Sequence, residues 1–451
     1  MTLAATALVT ACAVNPRPAF DETSNRVKSR TGFETTWMRT AEDEAAVLSR
    51  VREILREPLT PKRAAQVALI NNRGLQARLE DLGIAQAHLS AASLPGNPEI
   101  EGFLGWPGAG GHDKKIDLGF GLDVLDLFVL PSRKRLARLE LTQAKSLAGD
   151  EILKTATRAQ TETYALQALV ATAKVVSEAT TMEQALTDFA EARMKAGTLS
   201  EMAYEEERSH LDELEARRAW LDLEVRRKRE TLNATLGLAD SAAAWTVEPL
   251  AEALPGADSD SGDFERVAIE QRFDLGALRA AVEMLEGSLK LQGKTRLLPA
   301  GVHVGARTEK EGGTRVSGPT VRLQLPIFNP GRAESARLEA LAFQAQRMLE
   351  DRQIHARAEV REKADQLKTS RNLVRHFEEV VGPRRKRIVE MKKGYYNMML
   401  AGADELLRAK RDETEAEIPL IEARRSYWIA RTELAQALGG AIPEVVVKGE
   451  K

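Results

Sequence analysis

The sequence predicts a mainly α fold with a small β part, written twice in tandem. Three observations carry this. Helical periodicity fills most of the 451 residues. It gives way in two places to short segments of period two. The order of elements in the first half recurs in the second.

The N-terminus opens on "TLAATALVTAC", a short run of small and apolar residues ending at Cys12, the one cysteine. No intrachain disulfide can form. The run resembles a bacterial lipoprotein signal, in which cleavage falls before the cysteine and its thiol receives a lipid such as palmitate. The usual positive n-region is missing, which points to an upstream start or a trimmed N-terminus. Segment 1–12 is therefore expected to be the signal, with a covalent lipid on Cys12, and 13–60 an irregular segment.

The first repeat is expected over 61–237. Helical periodicity covers 61–94, with an interruption at Asn72-Arg73-Gly74, then 131–196 and 199–236. The second repeat is expected over 263–440, with helices at 263–297, 331–401 and 403–438. "PSRKRLARLE" from Pro131 and "PGRAESARLE" from Pro330 share six of ten residues. "MKAGTLSE" from Met194 likewise matches "MLAGADEL" from Met399, and "ATLG" ending at Gly237 matches "QALG" ending at Gly439. Pro131 and Pro330 suit a first helical turn, where a missing N–H costs nothing, and mark the strand–helix junctions. Gly197 and Gly402 suit the positive φ of a helix C-terminus. Pro419 should kink or split the last helix. The linker at 238–262 and the tail at 441–451 read as irregular.

Hairpins are expected at 97–128 and 300–328. In "KIDLGFGLDV", Ile116, Leu118, Phe120, Leu122 and Val124 alternate with Asp117, Gly119, Gly121 and Asp123. "AGVHVGART" sets Val302, Val304 and Ala306 against His303 and Arg307. "TVRLQLPIF" sets Val321, Leu323, Leu325 and Ile327 against Arg322, Gln324 and Pro326. "NPEIEGFLGW" is the weakest of the four. A half-buried soluble sheet gives this alternation, and so does a transmembrane β-barrel with lipid outside and water inside. Helices occupied with each other leave no second layer for a soluble sheet. Four strands cannot close a barrel, and open edges are not tolerated in lipid. Three copies would supply a closed twelve-stranded wall.

Bulk composition excludes other classes. Net charge is −2 and the sequence pI about 6.4, so no basic excess draws the chain to nucleic acid. No apolar run is long enough for a transmembrane helix. No nucleophile motif, phosphate loop or zinc spacing is present, and an enzyme is not expected. Met194, Met202, Met391, Met398 and Met399 gather near the two helical turns. Thioethers can bind Cu(I), but packing at a protein contact is the commoner use, and no metal site is expected.

Taken together, "LTPKRAAQVALINN" with "LGIAQA", "VSGPTVRLQLPIFNPGR" and the block from Tyr395 to Gly440 resemble the TolC family of outer-membrane efflux proteins, over about 55–440. The last block looks most like members linked to metal-ion or multidrug export. The resemblance implies a homotrimer with a twelve-stranded barrel in the outer membrane and a twelve-helix α-barrel in the periplasm. The irregular segments would form an equatorial belt. It implies a passive exit duct of a tripartite system, coupled through a periplasmic adaptor to an inner-membrane pump. The adaptor-contacting tips would be Ala196, Gly197, Thr198, Leu199 and Ser200, with Leu400, Ala401, Gly402 and Ala403. Candidate gate residues are Asp404, Glu405, Arg408 and Arg411. A periplasmic coiled-coil scaffold or adaptor with a small sheet remains the alternative reading.

Overall fold

The computed structural model describes residues 14–106, 115–239, 245–255, 263–296, 298, 301–311, 314–324 and 327–442. Cys12 and the first expected turn, 107–114, lie outside them, as do Leu325 and Pro326.

Among the described residues four helices precede the first strands: α1 (Arg17–Thr31), α2 (Ala41–Ile54), α3 (Pro61–Asn71) and α4 (Arg73–Ala92). The region before Pro61 is thus not the irregular segment expected. Its second helix starts on a reciprocal cap: Thr40 Oγ1 accepts from the Asp43 N–H at 3.1 Å, and Asp43 Oδ2 accepts from the Thr40 N–H at 3.1 Å. Strands β1 (Glu99–Gly105) and β2 (Lys115–Asp123) lead into α5 (Val124–Lys195) and α6 (Glu201–Leu236). The second repeat runs α7 (Phe264–Gln271), α8 (Phe273–Thr295), β3 (Val302–Glu311), β4 (Thr314–Leu323) and α9 (Arg332–His376). A π-helical segment (Phe377–Val381) then joins α9 to α10 (Gly382–Asn397), followed by α11 (Ala403–Glu415) and α12 (Glu417–Ala437).

The chain divides into two compact units. One comprises Met1–Thr23, Arg78–Gly149 and Phe273–Ile354. Its sheet is antiparallel throughout, in the order β1-β2-β3-β4, with β1 and β4 as edges. Pro319 lies on the edge strand β4, where a residue without an N–H is tolerated. The helical part packs closely: a Cβ on Gly149 would meet the Phe273 ring at 2.8 Å, and one on Gly287 would meet Leu136 at 2.8 Å.

The expected strand limits shift. Val124 is not the end of β2 but the start of α5, because Asp123 caps the helix, its Oδ1 accepting from the Leu125 N–H at 2.9 Å. Pro131 therefore lies inside α5, not at the junction. At the eighth position of the helix, beyond the first turn, it removes one N–H from the ladder. Pro330 does sit beside a helix start, but outside it. Gly331 follows at φ +74°, and its carbonyl accepts from the Ser335 N–H at 3.0 Å. The last strand is earlier than "TVRLQLPIF" suggests, ending at Leu323, with Ile327 and Phe328 outside it.

The other unit comprises Ser24–Ala77, Asp150–Arg272 and His355–Lys451. Among the described residues it holds an apolar cluster in each repeat. In the first, Leu59, Val67 and Ile70 pack with Leu166, Leu232, Leu236 and Trp245. In the second, Phe264 and Ala268 pack with Val360, Leu367, Tyr427 and Leu434. The duplication is visible in the backbone. Asn72 and Arg272 each break a helix in extended conformation, with N–H groups bonded to the carbonyls of Ala68 (2.9 Å) and Ala268 (3.0 Å).

The helix ends that meet these breaks carry left-handed glycines, Gly237 (φ +72°) and Gly439 (φ +89°). A helix leaves its last carbonyls without partners, and the two repeats satisfy them differently. In the first, Asn71 Nδ2 donates to the Leu236 and Gly237 carbonyls, both at 2.9 Å, and Asn72 Nδ2 donates to the Thr235 carbonyl at 2.8 Å. In the second, Arg272 donates to the Ala437 carbonyl at 3.2 Å, and Arg30 from α1 donates to the carbonyls of Gln271 and Gly439.

Candidate functional site

Two helical turns hold the residues expected at the tips. The first, Ala196–Ser200, joins α5 to α6. Gly197 is left-handed at φ +71°. Its N–H donates to the Met194 carbonyl at 2.9 Å, and the Thr198 N–H donates to the Arg193 carbonyl at 2.9 Å. This pair of bonds closes a helix in the Schellman manner. Ser200 then caps α6, its Oγ accepting from the Ala203 N–H at 3.2 Å.

The second turn, Leu400–Ala403, joins α10 to α11 with the same bonds but a different residue at the left-handed place. Met399 takes that place at φ +60°, as the one such residue among the described residues that is not glycine. The Met399 N–H donates to the Tyr396 carbonyl and the Leu400 N–H to the Tyr395 carbonyl, both at 2.9 Å. Gly402 is not the C-terminal stop expected of it. It is extended (φ −74°, ψ 162°) and occupies the N-cap of α11. Structurally, then, Met399 matches Gly197 and Gly402 matches Ser200. The matching motif "MxAG" is three residues out of register. Met399 is 95 % exposed, beside exposed Met398 and Leu400.

The candidate gate residues follow on α11, and each is engaged within the chain. Arg408 pairs with Glu207 of α6, and Arg411 Nη1 lies 2.8 Å from Glu183 Oε2 of α5. Glu405 pairs with Lys392 of α10, whose ammonium holds its carboxyl below the ordinary range. Asp404 lies 3.8 Å from Arg193, a weaker contact. Three of these four thus tie α11 to the first repeat's helices. Sequence reasoning found α11's side of this junction but missed Glu183 and Glu207. Their only signal was a carboxylate at an otherwise apolar helix position. A cleft of ≈ 380 Å³ opens beside the junction, lined in part by Phe189, Arg193, Glu207, His210 and Arg408.

Both arms of the second helical hairpin are interrupted. At Phe377–Val381 the ladder widens, so that the Gly382 N–H donates to the Phe377 carbonyl. Pro383, with no N–H and a ring that crowds the preceding turn, gives the reason. Opposite it, α11 ends at Glu415, Ala416 caps it, and Pro419 stands in the first turn of α12. Arg424 Nη2 bonds Glu378 Oε1 at 2.8 Å between the two interruptions. The first repeat has no matching defects: α5 runs 72 residues and α6 runs 36.

In the other unit, the register settles the faces of the sheet. Residues directly opposite in antiparallel strands point the same way. One face presents Ile100, Leu104, Ile116, Leu118, Phe120, Leu122, Val302, Val304, Val321 and Leu323. Most of these are solvent-exposed, Ile100 at 81 % and Val321 at 63 %. The other face carries Glu101, Asp117, His303, Glu309, Arg307 and Arg322 over a floor of Gly119, Gly121, Gly305 and Gly318. Its charges pair across strands: Arg307 Nε donates to Asp117 Oδ1 at 2.7 Å, and Lys115 meets Glu309. Among the described residues no cluster of His, Cys, Asp and Glu could hold a metal ion, and no helix is long and apolar enough to cross a membrane.

No protein-family model matches the sequence, and no curated protein does. Solved structures match closely in shape. CusC, described in terms of transmembrane channel formation, is 17 % identical, with a TM-score of 0.70 over 85 % of this chain and 92 % of its own. A membrane protein from Pseudomonas aeruginosa is 20 % identical, with a TM-score of 0.71 over 84 % and 92 %. The CmeC outer membrane channel of Campylobacter jejuni is 16 % identical, with a TM-score of 0.70 over 91 % and 90 %. The chain has the fold of the TolC-like outer-membrane channels.

Proposed function

We propose that this chain is one protomer of a trimeric outer-membrane channel, the passive exit duct of a tripartite efflux system. The observation that carries the reading is the sheet. One face is apolar and exposed along β1, β2 and the adjoining halves of β3 and β4, turning polar at Thr308, Lys310, Arg315 and Ser317, the other is mostly charged, and the whole stands in the fold of outer-membrane channels. Exposed apolar area of this extent is costly in water and favourable in lipid. An open four-stranded sheet cannot stand in a bilayer, whereas three copies close a twelve-stranded wall.

The exposed turns at Ala196–Ser200 and Leu400–Ala403 are the places for a periplasmic adaptor. Met398, Met399 and Leu400 offer adaptable apolar contacts there. Asp404, Glu405, Arg408 and Arg411 are the gate candidates beside them. Cys12 is the lipidation site that would anchor the chain to the outer membrane. No residue is assigned to catalysis, so an inner-membrane pump must supply the energy.

Extraction and conductance test this. The protein should leave the outer membrane only with detergent, run as a trimer, and conduct in a planar bilayer. A monomer that stays soluble in plain buffer would refute the channel and favour a periplasmic scaffold. Labelled palmitate should enter the wild type and not Cys12→Ser.

A further inference from the structure

The junction between the two hairpins contains a feature that ion pairing alone leaves unexplained. Glu183 is fully buried and Glu207 nearly so. Each carboxyl group spends one oxygen on an arginine: Glu183 Oε2 on Arg411, Glu207 Oε1 on Arg408. The second oxygens, Glu183 Oε1 and Glu207 Oε2, are buried and have no donor. The two side chains lie within hydrogen-bonding reach of each other. Two ionised carboxylates placed so would repel with no water between them. One proton removes both problems, because a protonated Glu207 Oε2 can donate to Glu183 Oε1.

We propose that Glu183 and Glu207 share a single proton, and that this proton makes the junction a pH-dependent clasp between the second hairpin and the first. With the proton in place, α5, α6 and α11 are joined by two arginine–carboxylate pairs and one carboxyl–carboxylate bond. Without it, the like charges push α6 and α5 against their common hold on α11. The paired defects at Phe377–Val381 and Ala416 give the α10–α11 hairpin its hinge.

The sign follows from linkage. Burial first, and the bond to Glu183 second, push the Glu207 carboxyl above its ordinary value of 4.5. Released into water it would return to that value, so closing takes up a proton. The clasp is therefore tight at mildly acid pH and loosens as pH rises through the raised value. Other charged groups face the pair. Arg193 stands on α5, Glu206 and His210 on α6, and Asp404 and Asp412 on α11, while Arg385 of α10 is 3.8 Å from Asp412. Of these His210 is the one imidazole, and the test must separate it from the pair.

Spin labels at Met202→Cys and Leu400→Cys in the full chain report the separation of the two turns by pulsed electron resonance. From about pH 3.5 to about pH 9, the open-to-closed ratio should rise roughly tenfold for each unit by which the clasp raises the pair's pKa. Glu207→Gln supplies a permanent N–H donor to Glu183 and should hold the turns closed at every pH. His210→Gln should keep the wild-type profile. Infrared spectra of the unlabelled protein at about pH 5 should contain a carboxylic-acid carbonyl band that Glu207→Gln removes. A flat wild-type profile, a sloping one in Glu207→Gln, loss of the slope in His210→Gln, or absence of the acid band would each overturn the proposal. None of these readouts depends on the channel reading, since a scaffold with this clasp would give the same profile.

Discussion

Met399 invites a substitution whose sign is unusual for a turn. A left-handed residue with a Cβ pays about 1–2 kcal/mol that glycine does not. Changing Met399→Gly removes this cost, and at 95 % exposure forfeits almost no packing. Against it stands the extra freedom glycine gives the unfolded chain, about 0.4–1 kcal/mol. The net gain is about 0.5–1 kcal/mol. Gly197→Ala is the mirror experiment. Gly197 has the same φ sign, and a Cβ there would meet nothing within 4 Å. The backbone effect therefore acts alone, and the net cost should be about 0.5–1 kcal/mol. The turns open locally, so amide hydrogen exchange is the assay, read at Leu400, bonded to Tyr395, and at Thr198, bonded to Arg193. Protection at Leu400 should rise about two- to fivefold in Met399→Gly, and protection at Thr198 should fall by a similar factor in Gly197→Ala. A fall at Leu400 in Met399→Gly would refute the left-handed assignment, and with it the matching of Met399 to Gly197.

Gly237→Ala should be far more damaging than Gly197→Ala, because a Cβ there would stand 2.5 Å from the Asn71 carbonyl oxygen as well as at φ +72°. A loss of more than about 2 kcal/mol is expected, read as a lowered Tm in detergent. Tyr164, stacked on Trp428 with ring centroids 5.7 Å apart, has its ionisation pushed up to about 12 by burial. Ultraviolet titration should find Tyr164 ionising there, and its replacement by Phe should remove one tyrosine's share of that step. Because the folded chain holds this proton more tightly than the unfolded one, stability should decline between about pH 10 and pH 12, by on the order of 2–3 kcal/mol.

Much of the architecture is legible in the sequence alone. Period-two alternation marks both hairpins and gives the faces of β2 and β3, because neighbouring side chains along a strand point to opposite faces of the sheet. What failed were boundaries set by single side chains. Asp123 starts α5 well ahead of Pro131, and an Asx cap weighs as much at a helix start as a proline does. The helices at 17–31 and 41–54 were missed because they are short and mixed in polarity, and tertiary contacts support them, such as the ion pairs of Lys145 with Glu22 at 2.5 Å and of Arg73 with Glu44. Glu183 and Glu207 were illegible because their meaning depends on Arg411 and Arg408, far along the chain. Pro383 could have been read with Pro419. Both are absent from the corresponding part of the first repeat, and they mark the two defects of the α10–α11 hairpin.

The repeat itself settles why its most obvious motif misleads. Matching Gly197 to Gly402 leaves the second terminal helix three residues short, since Gly237 lies 40 residues beyond Gly197 and Gly439 only 37 beyond Gly402. Matching Gly197 to Met399 restores 40 residues on both sides. The constraint that survived duplication is therefore the length of rod between the left-handed turn and the left-handed glycine at its far end. At 1.5 Å per residue a three-residue error would shift the tip by roughly 4–5 Å and rotate the helix face by most of a turn. Such a shift would carry Arg408 and Arg411 away from Glu207 and Glu183. Residue identity at the turn could drift from glycine to methionine at a cost of about 1–2 kcal/mol. Rod length could not drift, because the ion pairs that tie α11 to α5 and α6 depend on it.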